Sequence, residues 1–147
     1  ELDRFAESAG VSGLVKRVGH CEDMPAALLS AACVVAPAIE PEAFGRIAVE
    51  GQAMGAPVVA SDLGASSETI HAPPECPPGQ RTGWLVPPDD PQALADSIAE
   101  ALDLNAAARD ALALRARRRA AELFSVERMC EATLRVYENL LEQNPTG

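Results

Sequence analysis

A chain of 147 residues and 15.4 kDa has the size of one domain or a large part of one, long enough to bury a core. Aromatic residues make up only 3% of it, so Ala, Leu and Val must fill that core. With 12 Lys plus Arg against 22 Asp plus Glu, a net charge of −10, it lacks the clustered cations that nucleic-acid backbones demand.

Read in chain order, residues 1–9 form a helix with Leu2, Phe5, Ala6 and Ala9 on one face, ended by Gly10. Leu14 to Val18 is a short strand closed by Gly19. Asp23 caps a helix with Pro25 in its first turn, running to about Ala31. Cys33 to Ala36 is a buried strand stopped by Pro37. A loop over 37–45 leads to a helix over 46–54, ended by Gly55, and Pro57 to Ala60 is a further strand. Gly64 turns into a short helix at Ser66–Ile70. Residues 71–82 hold four prolines and form an irregular surface excursion. Gly83 to Val86 is the last strand. Helices follow from Pro91 to about Leu102 and near 105–123. The final helix starts at the cap residue Ser125, with Val126, Met129, Cys130, Thr133, Tyr137, Leu140 and Leu141 at helical spacing.

Strands alternating with helices through residue 86 indicate an α/β fold, a Rossmann-like parallel sheet with helices on both faces and a helical C-terminal tail. The Val-rich strands agree, since parallel sheets are covered on both sides. Cys21, Cys33, Cys76 and Cys130 form no CxxC pair, and with only His20 and His71 available no structural metal site is expected. They read as reduced thiols, Cys33 and Cys130 as small core residues. No apolar run reaches the ~18 residues of a membrane span, and no signal peptide is recognised, so a cytoplasmic location is expected. Glu1 in place of Met suggests a processed chain or a piece of a longer one.

The stretch PEAFGRIAVEGQAMGAPVVA at 41–60 carries the chemistry. A strand ends at Ala36, a loop presents Glu42, and Phe44-Gly45 leads into a helix. Ligands of open α/β sheets bind beyond the carboxyl ends of such strands. N–H groups near Phe44, Gly45 and Arg46 at a helix N-terminus favour an anion such as diphosphate. Glu50, a turn further on, is placed to accept hydrogen bonds from sugar hydroxyls. The plainer reading stands beside this: Glu42 as a solvated loop acid, and Glu50 paired with Arg46 at i,i+4.

The E-x7-E spacing from Glu42 to Glu50, with Phe44-Gly45 inside it, resembles the retaining glycosyltransferases of family 4, which have the GT-B fold. GHCEDMPAALLSA from Gly19, GAPVVASDLGASSETI at 55–70, TGWLVPPDD at 82–90 and FSVERM at 124–129 extend the resemblance over nearly the whole chain. Their order is that of the carboxyl-terminal, donor-binding domain. Residues 1–104 would be a partial nucleotide-sugar-binding domain and 105–147 its C-terminal helices. By resemblance, Glu42 faces the transferred sugar as the catalytic carboxylate. Phe44, Gly45 and Arg46 lie beside sugar and diphosphate through their backbone, and Glu50 binds the ribose. Gly19, His20 and Cys21 are implicated in contact with the base. The Gly64 to Glu68 turn shapes the pocket wall. The reaction implied is transfer from a nucleotide-diphosphate sugar to an acceptor hydroxyl with retention, in cell-surface polysaccharide or lipopolysaccharide synthesis. No metal and no other cofactor is implied.

The chain departs from that family in its cations. The phosphate-clamping Arg and Lys lie upstream in the family, in a segment absent here together with the first two strands and the acceptor domain. Residues 1–104 hold 5 basic and 16 acidic side chains, and only Lys16, Arg17 and Arg46 fall near the site. The expectation is a donor-binding portion that is inactive alone, whose partners are a nucleotide sugar and the missing N-terminal domain. In the doubly wound order the two absent strands lie between 14–18 and 33–36, leaving unpaired edges and a route to self-association. The run Arg115, Arg117, Arg118, Arg119 reads as a solvated helix face with Glu122 beside Arg118. Peripheral contact with anionic lipid at the inner face of a membrane is its alternative. Competing functions are a sugar-nucleotide epimerase, a phosphorylase or a non-enzymatic nucleotide-sugar or protein-interaction module. A pyridoxal-phosphate phosphorylase needs a Schiff-base lysine, for which Lys16, the only lysine, is poorly placed.

Overall fold

The computed structural model describes residues 2–143. Glu1 and residues 144–147, the outer ends of the two expected portions, lie outside them. Three short strands, β1 (Val34–Ala36), β2 (Val58–Ser61) and β3 (Trp84–Val86), form a parallel sheet in the order β1-β2-β3. The helices are α1 (Leu2–Ser8), α2 (Met24–Ser30), α3 (Arg46–Met54), α4 (Ser66–Thr69), α5 (Pro91–Leu102), α6 (Ala106–Phe124) and α7 (Val126–Gln143), with a 3-10 turn at Pro78–Gln80.

Local chemistry starts the helices. The Asp23 carboxylate accepts from Ala26 N at 3.0 Å and that of Asp90 from Ala93 N at 2.9 Å, each followed by a proline in the first turn. The Asn105 side chain accepts from Ala108 N, and the Ser125 hydroxyl from Arg128 N. The bounds of α3 and α5 agree with the sequence expectation residue for residue.

All four residues of β2 are buried. Because side chains alternate along a strand, Val58 and Ala60 join Leu28, Val34, Ala48 and Ile70 in one core cluster, with α2 and α3 above them. Val59 points to the other face, where Trp84, Val86, Ala101 and Leu112 pack with α5 and α6. Trp84 also donates from its indole N–H to Glu100 at 2.9 Å, beneath the Arg81 guanidinium.

The strand expected at Leu14–Val18 does not form. The segment is irregular, with Leu14 and Val18 exposed. A strand is held by a neighbour, and among the described residues β1 pairs with β2 alone. Cys130 is exposed rather than in the core, because α7 buries none of its residues. His71, expected in the exposed excursion, is half-buried and exchanges hydrogen bonds with Thr82.

The basic run on α6 also differs from expectation. Arg118 does pair on the solvent side with Glu122 at 2.7 Å. The other arginines donate to backbone carbonyls: Arg115 to Arg81 O at 3.1 Å, Arg117 to Met54 O at 2.7 Å and Arg119 to Glu68 O at 3.0 Å. Arg109 reaches Ala32 O at 2.9 Å and Ala101 O at 3.3 Å. Each acceptor lies at or just beyond the C-terminal end of a helix or of the 3-10 turn. There the carbonyls lack intrahelical partners and the dipole is negative, so guanidinium groups are favoured. α6 therefore clamps the ends of the elements that carry the sheet.

Candidate functional site

The loops that leave the C-terminal ends of β1 and β2 meet over one another. The Glu42 carbonyl accepts a hydrogen bond from Ala65 N at 3.2 Å. Gly64 makes that approach: a Cβ at this position would lie 2.5 Å from Glu42 O and 2.8 Å from Glu42 N. Its φ of +61° is also one that a side chain disfavours. The turn after β2 thus fixes the backbone of Glu42.

Gly45 reverses the chain into α3. It is the N-cap at φ +72°, ψ +54°, and no side chain caps the helix there. Among the described residues, the first N–H groups of α3 are consequently left without partners, at the positive end of a nine-residue helix. The Glu42 carboxylate folds back over this turn, since a Cβ on Gly45 would lie 3.7 Å from Glu42 Oε2. A carboxylate and a set of open N–H donors are therefore held side by side beyond the sheet's C-terminal edge.

Phe44 packs edge-on against Phe124 at the end of α6, ring centroids 5.7 Å apart and planes at 77°. The two rings line an open groove of about 720 Å³ with Arg46, Val49, Glu50, Arg128 and Met129. Further along α3, the Arg46 guanidinium holds Glu50 Oε1 through Nη2 at 2.7 Å and Nε at 3.2 Å. A second groove of about 370 Å³, between α2 and α3, is lined by Met24, Leu28, Ala53 and the same two charged residues. The i,i+4 pair seen in the sequence is present, and it occupies one oxygen of the carboxylate expected to bind ribose.

Glu42 lies against Gly45, and Phe44, Arg46 and Glu50 share the larger groove. Gly19 and His20 lie exposed in the irregular segment before α2, and no hydrogen bond or ion pair joins them to those five among the described residues. Of the cations expected nearby, Arg17 pairs with Asp3 at 3.2 Å. Arg128, in the FSVERM stretch, lines the groove beside Arg46. Phe124, Arg128 and the Gly64 contact reach the site through tertiary packing; the sequence signals at these positions were the FSVERM stretch and a turn at 64, neither of which showed the contact.

Comparison with known proteins agrees with this architecture. Residues 1–104 match the family model described as glycosyl transferases group 1. The lipopolysaccharide core biosynthesis mannosyltransferase LpsB of Rhizobium meliloti (strain 1021) is 32% identical over 145 residues, covering 96% of this chain and 38% of that protein. The O-antigen chain mannosyltransferase C of Escherichia coli is 29% identical, over 97% of this chain and 37% of its own length. The chain thus spans under two fifths of the length of these relatives. Among solved structures, a glycosyltransferase from Rickettsia africae ESF-5 superposes with a TM-score of 0.86 at 27% identity, covering 95% of this chain and 35% of that one. Anabaena Alr3699/HepE, solved in complex with UDP-glucose, gives 0.82 at 25% identity, over 94% and 36% respectively. A sheet of three parallel strands with helices on both faces, and a run of ordered motifs ending in a long C-terminal helix, place the chain in the glycosyl transferases group 1 family, as part of the C-terminal half of a GT-B fold.

Proposed function

We propose that this chain is the donor-binding portion of a retaining glycosyltransferase of family 4. It binds a nucleotide-diphosphate sugar, and the larger protein transfers the sugar to an acceptor hydroxyl in lipopolysaccharide or cell-surface polysaccharide synthesis. The uncapped N-terminus of α3 beside the Glu42 carboxylate carries this reading. The open N–H groups at the start of α3 suit the diphosphate, whose negative charge grows as the sugar leaves. Donors fixed in advance of that change stabilise the transition state without reorganising. Glu42 then lies against the transferred sugar, Glu50 against the ribose, and Phe44 walls the pocket. Gly19 and His20 lie on the side of the nucleotide base. The names of the relatives, a core mannosyltransferase and an O-antigen mannosyltransferase, support the surface-polysaccharide setting. Solved complexes of the Anabaena protein with UDP and UDP-glucose support the donor class. No metal is required in this scheme, and acceptor selection belongs to chain outside these 147 residues.

Isothermal titration of the 147-residue chain with UDP, GDP, UDP-glucose and GDP-mannose tests the reading. One nucleotide-diphosphate series is expected to bind, with no sugar transfer to any acceptor by the chain alone. Absence of binding across the panel overturns the donor site. Transfer by the isolated chain overturns its assignment as an incomplete enzyme.

A further inference from the structure

We propose that the Arg46–Glu50 ion pair is a device that couples ribose recognition, by about a factor of two, to the diphosphate. This rests on the donor-site reading above and assigns to the Arg46 side chain a function that reading gives only to its backbone.

Both contacting nitrogens of Arg46 converge on Oε1 of Glu50, so the pair is a one-oxygen contact and not a bidentate fork. The Arg46 side chain is 82% exposed and that of Glu50 37%. An exposed i,i+4 pair of this kind shifts an equilibrium by only about a factor of two. A diphosphate offers the same guanidinium a larger charge and a matching array of oxygens. It would sit at the open N–H groups of α3, in whose first turn Arg46 itself lies. In that competition the diphosphate takes the guanidinium, and Glu50 Oε1 is released to accept from ribose hydroxyls. The position of the pair gives the exchange a second effect. Arg46 and Glu50 line both the groove toward α7 and the groove toward α2, so they stand between the two. Parting them joins the grooves along α3. A nucleoside without phosphates meets Glu50 with Oε1 still shared with Arg46 and only Oε2 fully open. Arg46 is thus a specificity-determining residue that couples the two halves of the donor nucleotide.

The test compares wild type with Arg46→Gln and Arg46→Lys in titrations with a nucleoside diphosphate and its parent nucleoside. Arg46 is a surface residue, and circular dichroism confirms folding of each variant. In Arg46→Gln the diphosphate is expected to bind about tenfold more weakly, and the nucleoside about twofold more tightly because Glu50 is free. Arg46→Lys keeps the charge but not the fork, and recovers part of the diphosphate affinity. Arg128→Gln, which removes a groove cation not paired with Glu50, weakens the diphosphate without tightening the nucleoside. Unchanged diphosphate affinity in Arg46→Gln overturns the exchange, as does weaker nucleoside binding, which would make Arg46 a support for Glu50 and not its competitor. If wild type binds no nucleotide, the donor site fails, and this inference with it. If wild type binds and only the Arg46 effects are missing, the donor site stands alone.

Discussion

Gly64 lies well outside the motif that carries the site, yet its missing Cβ decides where Glu42 stands. An alanine there would carry a left-handed φ and press a methyl group onto the backbone of Glu42. Neither the carbonyl nor the amide of Glu42 can move without dragging the acidic side chain with it. Gly64→Ala is expected to cost about 2–3 kcal/mol, strain and overlap together, read from urea unfolding. It should also weaken nucleotide-sugar binding in titration. A shift within experimental error in the unfolding midpoint would show that the turn relaxes freely. At this scale the sequence exposed half of the site. The spacing of Glu42, Gly45 and Glu50 is local, so it survives in a linear text. The close approach of Gly64 to Glu42 joins two loops that leave different strands, and nothing in the neighbours of either residue encodes it.

Among the elements, α6 shows how one helix can be read correctly and understood wrongly. Its extent follows from the Asn105 cap and a run of strong helix formers. Its arginines looked like a solvated face, because charge on a helix usually is one. Three of the run, Arg115, Arg117 and Arg119, instead satisfy carbonyls at the ends of other elements, as does Arg109 earlier on the helix. Arg109→Met, which strips hydrogen bonds from Ala32 O and Ala101 O, is expected to lower stability by about 1–2 kcal/mol. Arg118→Gln, which removes only the solvent-side pair with Glu122, should leave the melting temperature unchanged. Equal losses in the two variants would contradict the clamp. The Leu14–Val18 segment is the opposite case. Its apolar residues suit a strand, but a strand exists only where a neighbour offers a ladder, and β1 meets no such partner there.

As a whole the molecule exposes 10134 Å², whereas a compact monomer of 15.4 kDa would expose about 7,200 Å². Large apolar side chains are among the exposed residues. α7 buries nothing, and Tyr137 and Leu141 on its stripe are 62% and 70% exposed. Apolar patches of this kind are uncommon on the surface of an isolated monomer. A hydrophobic dye is therefore expected to bind the folded chain. The double variant Tyr137→Ser with Leu141→Ser should reduce that binding while leaving the unfolding midpoint in place. A collapse of the midpoint would place the stripe in the core.

The sequence by itself determined most of the helices, the caps at Asp23 and Ser125, and three of the four expected strands in their parallel order. Each depends on contacts within a few positions or on a pattern of alternating elements. The tertiary structure decided which candidate strand found a partner. It also turned three arginines of the basic run of α6 into clamps and left α7 without a buried residue among those described. Those outcomes depend on what lies across space from a residue. A strand edge, a helix end and an apolar stripe look the same in sequence whether or not that space is filled.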